Sequence, residues 1–219
     1  MSALDWEGCL NVRDLGGLTT VDGRLTRSGA LVRSDSPDRL TPAGWDAVRA
    51  HGIRTIVDLR NEDEYGREAW PSGFDVVRLP LDGMEDDPEF WERWGSGPQF
   101  GTPLYYRPHL DRFPERSARV IAAIARAQPG GVLVHCVGGR DRTGQIAMLV
   151  LALIGVPPEA IAADYDLSGP ADEDVQRFLA DRGTSAASLI VSTLADLDLE
   201  GCLRLGEADL VALRARLLA

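Results

Sequence analysis

The ten residues from His135 to Gly144, HCVGGRDRTG, hold the most reactive combination of side chains in the chain. Cys136 stands six positions before Arg142, with Thr143 next and Gly138 and Gly139 in between. A thiolate is a strong nucleophile, and a guanidinium presents two donors that match two oxygens of a phosphate. The apolar run 131–134 reads as a buried strand, and 145–154 (QIAMLVLALI) reads as a buried helix. The cysteine therefore falls on a strand-to-helix turn whose backbone N–H groups can converge on an anion. The same field, with Arg142 and His135 nearby, is expected to lower the thiol pKa from its free value of about 8.5. The implied chemistry is attack of a thiolate on phosphorus.

Spacing alone does not carry this reading. Six positions after Cys9 lies Leu15, and six after Cys202 lies Ala208, so the other two cysteines lack the arginine. What distinguishes Cys136 is the added histidine, glycines and threonine, with a strand before and a helix after. The expected phosphate cradle comprises Val137, Gly138, Gly139, Arg140, Asp141 and Arg142, with glycine permitting close backbone approach. Thr143 either donates its hydroxyl to the sulfur, assisting its departure, or caps the helix. His135 is expected to orient the loop rather than transfer a proton. Monoester cleavage also needs an acid for the leaving oxygen. Asp82, following a strand in LPLD, is favoured; Asp141, inside the loop, is the rival, and Asp86 and Asp87 are weaker candidates.

HCVGGRDRTG resembles the signature loop of the protein tyrosine phosphatase superfamily. More narrowly, it is similar to the atypical bacterial and fungal tyrosine/serine phosphatase branch, whose loop reads HCxxGKDRTG. The likeness extends to NVRDLGGLTTVDGRLTRSGALVRSD (11–35), GIRTIVDLRNEDEY (52–65) and IAADYDLS (161–168), in family order. Arg140 replaces the usual lysine, and the C-terminal region is shorter than in the branch. The resemblance implies a cysteinyl-phosphate mechanism and a general-acid aspartate on a loop, the place Asp82 would take. It also implies that a second cation at position 140 could bind a second phosphate on an inositol ring.

The frame that must position these residues reads as α/β. Residues 11–34 form a hairpin-like start turning at Asp22-Gly23. Thr41 caps a helix with Pro42 at its first position, ended by Gly52. Strands follow at 54–59 and 74–79, a short helix starts at Asn61, and 116–127 is amphipathic helix. After Pro157-Pro158 the chain is helical, with breaks near Gly169, Gly183 and Gly201. This predicts one domain over 1–219, with a central mostly parallel sheet flanked by helices, a helical C-terminal region and the loop at the carboxyl end of a central strand. Residues 83–104 are either a lid or a surface loop. Asp14, Asp58 and Arg60 are expected to make ion pairs, and Asp164 and Tyr165 to support the site.

Composition narrows the alternatives. A net charge of −11 and pI near 4.7 disfavour nucleic acid and anionic membranes as bulk partners. No apolar run approaches a membrane span, and the charged N-terminus does not fit a signal peptide. Three dispersed cysteines indicate reduced thiols and a cytoplasmic setting. The three histidines are scattered, so neither metal nor cofactor is expected. Every cation apart from histidine is arginine, which offers a compositional reason for Arg140. A phosphorylated substrate is the expected partner, whether phosphoprotein, phosphoinositide or small phosphate monoester; substrate and oligomeric state stay open. A phospho-ligand-binding protein without turnover is the competing class, opposed by the retained Cys136, Arg142 and acid candidates.

Overall fold

Five consecutive buried residues, Gly131–His135, form β6 at the centre of the sheet, as expected of a parallel strand covered on both faces. In the computed structural model, which describes residues 2–66, 70–169 and 173–219, β6 lies between β3 (Leu31–Ser34) and β4 (Ile53–Asp58). The full order is β1-β2-β3-β6-β4-β5, with β1 (Ser2–Ala3), β2 (Arg13–Asp14) and β5 (Asp75–Arg78). Strands β3, β6, β4 and β5 are parallel, and β1 and β2 join antiparallel at one edge. The turn at Asp22-Gly23 closes through Gly23 N to Thr20 O (2.9 Å), with Gly23 at φ +84°.

Alternation along the strands splits the core into two faces. Leu133, Val32, Ile53 and Ile56 pack with Trp45 and Val48 of α1 (Pro42–Ala50). Val132, Val134 and Val57 face the opposite side, where the helices of the second half gather. These are α4 (Pro114–Arg126), α5 (Asp141–Leu153), α6 (Pro158–Asp166), α8 (Ala186–Ala195), α9 (Leu199–Leu203) and α10 (Glu207–Leu217), preceded by α2 (Pro88–Trp94) and α3 (Tyr106–Arg112), with α7 (Glu173–Ala180) between α6 and α8. Helix α1 begins as expected, Thr41 accepting from Gly44 N at 3.2 Å.

Helix α5 buries Thr143 to Val150 almost without interruption, so it sits inside the core rather than on its surface. It also begins at Asp141, four residues earlier than its apolar run indicates. The polar residues of DRTG are therefore its first turn, which puts Arg142 and Thr143 on the helix instead of in the loop. Gly201 lies within α9; the breaks around it fall at the Asp198 cap and at Gly206. The segment 83–104, read as a lid or a surface loop, contains α2 and the start of a 3₁₀ turn over Pro103–Tyr105. Among the described residues, no helix is long and apolar enough to cross a membrane.

Candidate active site

Cys136 follows the carboxyl end of β6 and is almost fully buried. Around it, each carbonyl from residue 136 to 141 is held by a donor that draws it outward. The Cys136 carbonyl meets His135 Nδ1 (3.0 Å), Val137 meets Ser36 N (2.9 Å), and Gly138 meets Asn11 Nδ2 (3.1 Å). Arg33 Nη2 donates to the Gly139 carbonyl (2.8 Å) and the Arg140 carbonyl (3.4 Å), and Tyr106 Oη donates to Asp141 O (2.7 Å). Among the described residues, no protein acceptor takes the N–H groups of 137–142. They are left to an anion at the positive end of α5. Gly139 has φ +66°, and a Cβ there would lie 2.3 Å from Ser34 O, so the loop crosses β3 only as glycine. Gly138 has open space instead.

The donors behind the loop are themselves anchored. Arg33 and Arg13, both buried, share Asp164 of α6: Arg13 Nε lies 2.9 Å from one carboxylate oxygen and Arg33 Nη1 bonds the other. Two guanidiniums on one carboxylate leave a net positive charge beneath the loop, which favours an anion above it. His135 is fully buried, and burial lowers its pKa, so the neutral ring donates from Nδ1 to the loop. Its Nε2 stands 3.6 Å from Asp58 Oδ1. Asp58 is paired with Arg60 (2.9 Å) and Asp14 with His51 (3.2 Å).

Arg142 meets a partner that the sequence reading missed. Its two terminal nitrogens grip both oxygens of Glu64, one at 2.7 Å, and Nη1 lies 3.1 Å from Asp82 Oδ2. Burial opposes its charge, but the bonds to Glu64 and the charges of Asp82, Cys136 and Glu64 prevail and hold it cationic. Glu64 also accepts from Asn61 N (2.8 Å), while Asn61 Nδ2 donates to Asp82 Oδ2 (2.9 Å). A capping box in NEDE thus aims both Arg142 and Asp82. Asp82 is buried, and burial raises its pKa against the opposing pull of Arg142 and Asn61.

Cys136, Arg142, Asp82 and Asp141 line one cavity of about 160 Å³, with Val137 and Gly138 on the loop side and Phe100, Gly101 and Tyr105 opposite. Asp141 accepts from Tyr165 Oη (3.0 Å), and burial raises its pKa as well. The remaining loop candidates lie outside the cavity. Thr143 is fully buried and its hydroxyl has no protein partner, so neither of the bonds expected of it is present. The Arg140 guanidinium sits over the Tyr165 ring, 5.4 Å from its centroid. Asp86 pairs with Arg116, and Asp87 caps α2 and holds Arg112 (2.6 Å). The 83–104 segment packs as a wall, with buried Trp91 contacting Phe100 and Tyr105 (6.2 and 6.4 Å). A larger groove of about 900 Å³ between α4 and α9 holds Cys202, whose thiol burial pushes up in pKa, away from this chemistry.

Besides Glu64, the sequence reading missed Asn61, Asn11, Arg33 and Tyr106. Asn11, Arg33, Asn61 and Glu64 fall within the blocks NVRD, LVRSD and DLRNEDE and Tyr106 in none of them, and no local spacing rule joins any of the five to the loop.

An α/β sheet bearing a buried cysteine and a helix-borne arginine beside unpaired backbone N–H groups is an arrangement able to hold an oxyanion. The chain belongs to the tyrosine phosphatase family, whose sequence model matches residues 4–219. It is 33% identical over 160 residues to a Cupriavidus necator protein bearing a tyrosine-protein phosphatase name, covering 71% of this chain and 59% of that one. It thus spans about three fifths of that relative's length. It is 30% identical over 195 residues to the triple specificity protein phosphatase PtpB of Mycobacterium tuberculosis, covering 75% of this chain and 68% of PtpB. A crystal structure of P. aeruginosa TpbA in complex with pTyr aligns over 93% of each chain at 17% identity and a TM-score of 0.46.

Proposed function

We propose that the protein is a phosphomonoesterase that works through a cysteinyl-phosphate intermediate. One observation carries this reading: Cys136 and Arg142 of the β6–α5 junction and Asp82 of a separate segment line a single cavity. In the first step the Cys136 thiolate attacks phosphorus while the bond to the leaving oxygen breaks. Asp82 gives that oxygen a proton. Arg142 and the N–H groups of 137–142 neutralise the equatorial oxygens as charge spreads over them. In the second step water attacks the phosphocysteine, Asp82 takes the water's proton, and the sulfur leaves. Asp82 suits both roles because it stands on its own segment and burial favours its protonated form. Asp141 is tied to Tyr165 within the loop. The loop's anion chemistry fits phosphoprotein, phosphoinositide or small phosphate monoester alike, in a cytoplasmic setting.

Rapid acid quenching during turnover of a radiolabelled substrate tests the intermediate. Label should be recovered on the peptide containing Cys136. Turnover without any protein-bound label would rule out the covalent route.

Arg140 bears on substrate choice. Its guanidinium sits over Tyr165 and is not among the groups lining the cavity, so Arg140→Ala should lower kcat/KM equally for a phosphotyrosine peptide and a bis-phosphorylated inositol head group. A selective loss on the head group would restore the second-phosphate role that the family resemblance implies.

A further inference from the structure

Asp82 is placed by its main chain as well as by its carboxyl, and the main-chain contacts lead away from the cavity. His109, buried on α3, points Nε2 at the carbonyls of Leu81 (3.1 Å) and Asp82 (3.3 Å). Both partners are acceptors, so Nε2 carries the ring proton. Nδ1 faces the amide nitrogen of Gln145 at 3.0 Å, and that nitrogen also donates to Ser117 Oγ (3.1 Å). A donor on one side and two acceptors on the other fix a single neutral tautomer. Burial supports it by lowering the imidazole pKa to about 4.

Gln145 is fully buried in α5, the helix that opens at Asp141 beside the phosphate loop. The ring is enclosed by Phe113 (5.4 Å), Trp91 (6.1 Å) and Tyr105 (6.2 Å), and it does not line the cavity. Placing a polar ring among aromatics costs free energy unless its hydrogen bonds are made, and here both nitrogens are used. The path from Asp82 through His109 to Gln145 therefore ties the segment carrying one reacting group to the helix carrying Arg142.

We propose that His109 is a positioning residue that holds the Leu81–Asp82 main chain against α5 so that the Asp82 carboxyl meets the leaving oxygen. This rests on Asp82 being the acid. A displacement of about 1 Å at a reacting group can cost on the order of 10²-fold in rate.

The test compares His109→Leu, His109→Gln and Asp82→Asn on an alkyl phosphate and on an activated aryl phosphate, whose leaving oxygen barely needs a proton. His109→Leu keeps much of the volume and removes all three hydrogen-bond contacts of the ring. Its kcat/KM should fall roughly 10- to 100-fold on the alkyl phosphate and less than about 3-fold on the aryl one. His109→Gln retains an N–H near the Nε2 position and should recover most of the alkyl rate. Equal losses on both substrates, or a glutamine variant as impaired as the leucine one, would overturn the positioning role. If Asp82→Asn shows leaving-group dependence and His109→Leu does not, the positioning role alone falls. If Asp82→Asn shows none, the acid assignment fails and takes this inference with it. Should His109→Leu not fold, Gln145→Leu, which frees the ring without emptying its site, must shift the same ratio in the same direction or the inference is wrong.

Discussion

Exchanging the sulfur of Cys136 for oxygen is expected to cut kcat by about 10³-fold or more, at least ~4 kcal/mol of barrier, while phosphate and vanadate still bind. Nucleophile and cradle are separate parts of this site. In the proposed mechanism the oxyanion is held by Arg142 and by N–H groups of a loop whose carbonyls are taken from behind by Arg33, Asn11, Ser36 and Tyr106. Cys136→Ser touches none of these contacts. Its affinity for vanadate, measured by competition or calorimetry, should stay within about fivefold of the unsubstituted protein, roughly 1 kcal/mol. A serine variant keeping more than about a tenth of the normal kcat would sink the covalent mechanism. Chelators should leave the rate unchanged, because each charge in the two steps is met by a group of the chain itself.

Asp82→Asn should slow an alkyl phosphate by roughly 10² to 10⁴-fold and an activated aryl phosphate far less. The pH profile supplies a second readout. Burial raises the Asp82 pKa above its ordinary value, so the protonated form persists to higher pH in the folded protein. Acid catalysis is then present below that raised pKa and is lost as pH rises through it. The alkaline limb of kcat/KM for the alkyl phosphate should therefore disappear in Asp82→Asn. If Asp141→Asn erases the limb and the leaving-group dependence instead, the acid lies inside the loop.

Much of this was legible in the chain because it is local. The run GVLVH announces a strand buried on both faces, and the thiol and the guanidinium are six residues apart where that strand passes into the next helix. The boundary of α5 was less legible, since its first turn is polar and apolar periodicity begins only after it. Glu64 was invisible for a different reason. It lies 78 positions from Arg142, and nothing in the types Glu and Arg selects that pair from the many others available in a chain with 34 acidic and 23 basic residues. The same holds for Arg33, whose burial beneath the loop depends on β3 pairing beside β6. The choice between lid and surface loop at 83–104 stayed open in the sequence because its aromatic pattern serves a mobile flap and a packed wall equally well.

The outward capture of the loop carbonyls means that HCVGGRDRTG is not a portable part. Grafted onto the strand–helix turn of another α/β protein, the decapeptide would keep its thiol, its glycines and its arginine. It would lose Asn11, Arg33, Ser36 and Tyr106, which here hold the carbonyls of residues 137–141 by hydrogen bonds. Peptide planes released from those donors can rotate, and a rotated plane offers the phosphate a carbonyl oxygen, which repels it. Under the proposed function, anion selectivity is thus a property of residues distributed from position 11 to position 164, and the signature loop is only the place where it becomes visible.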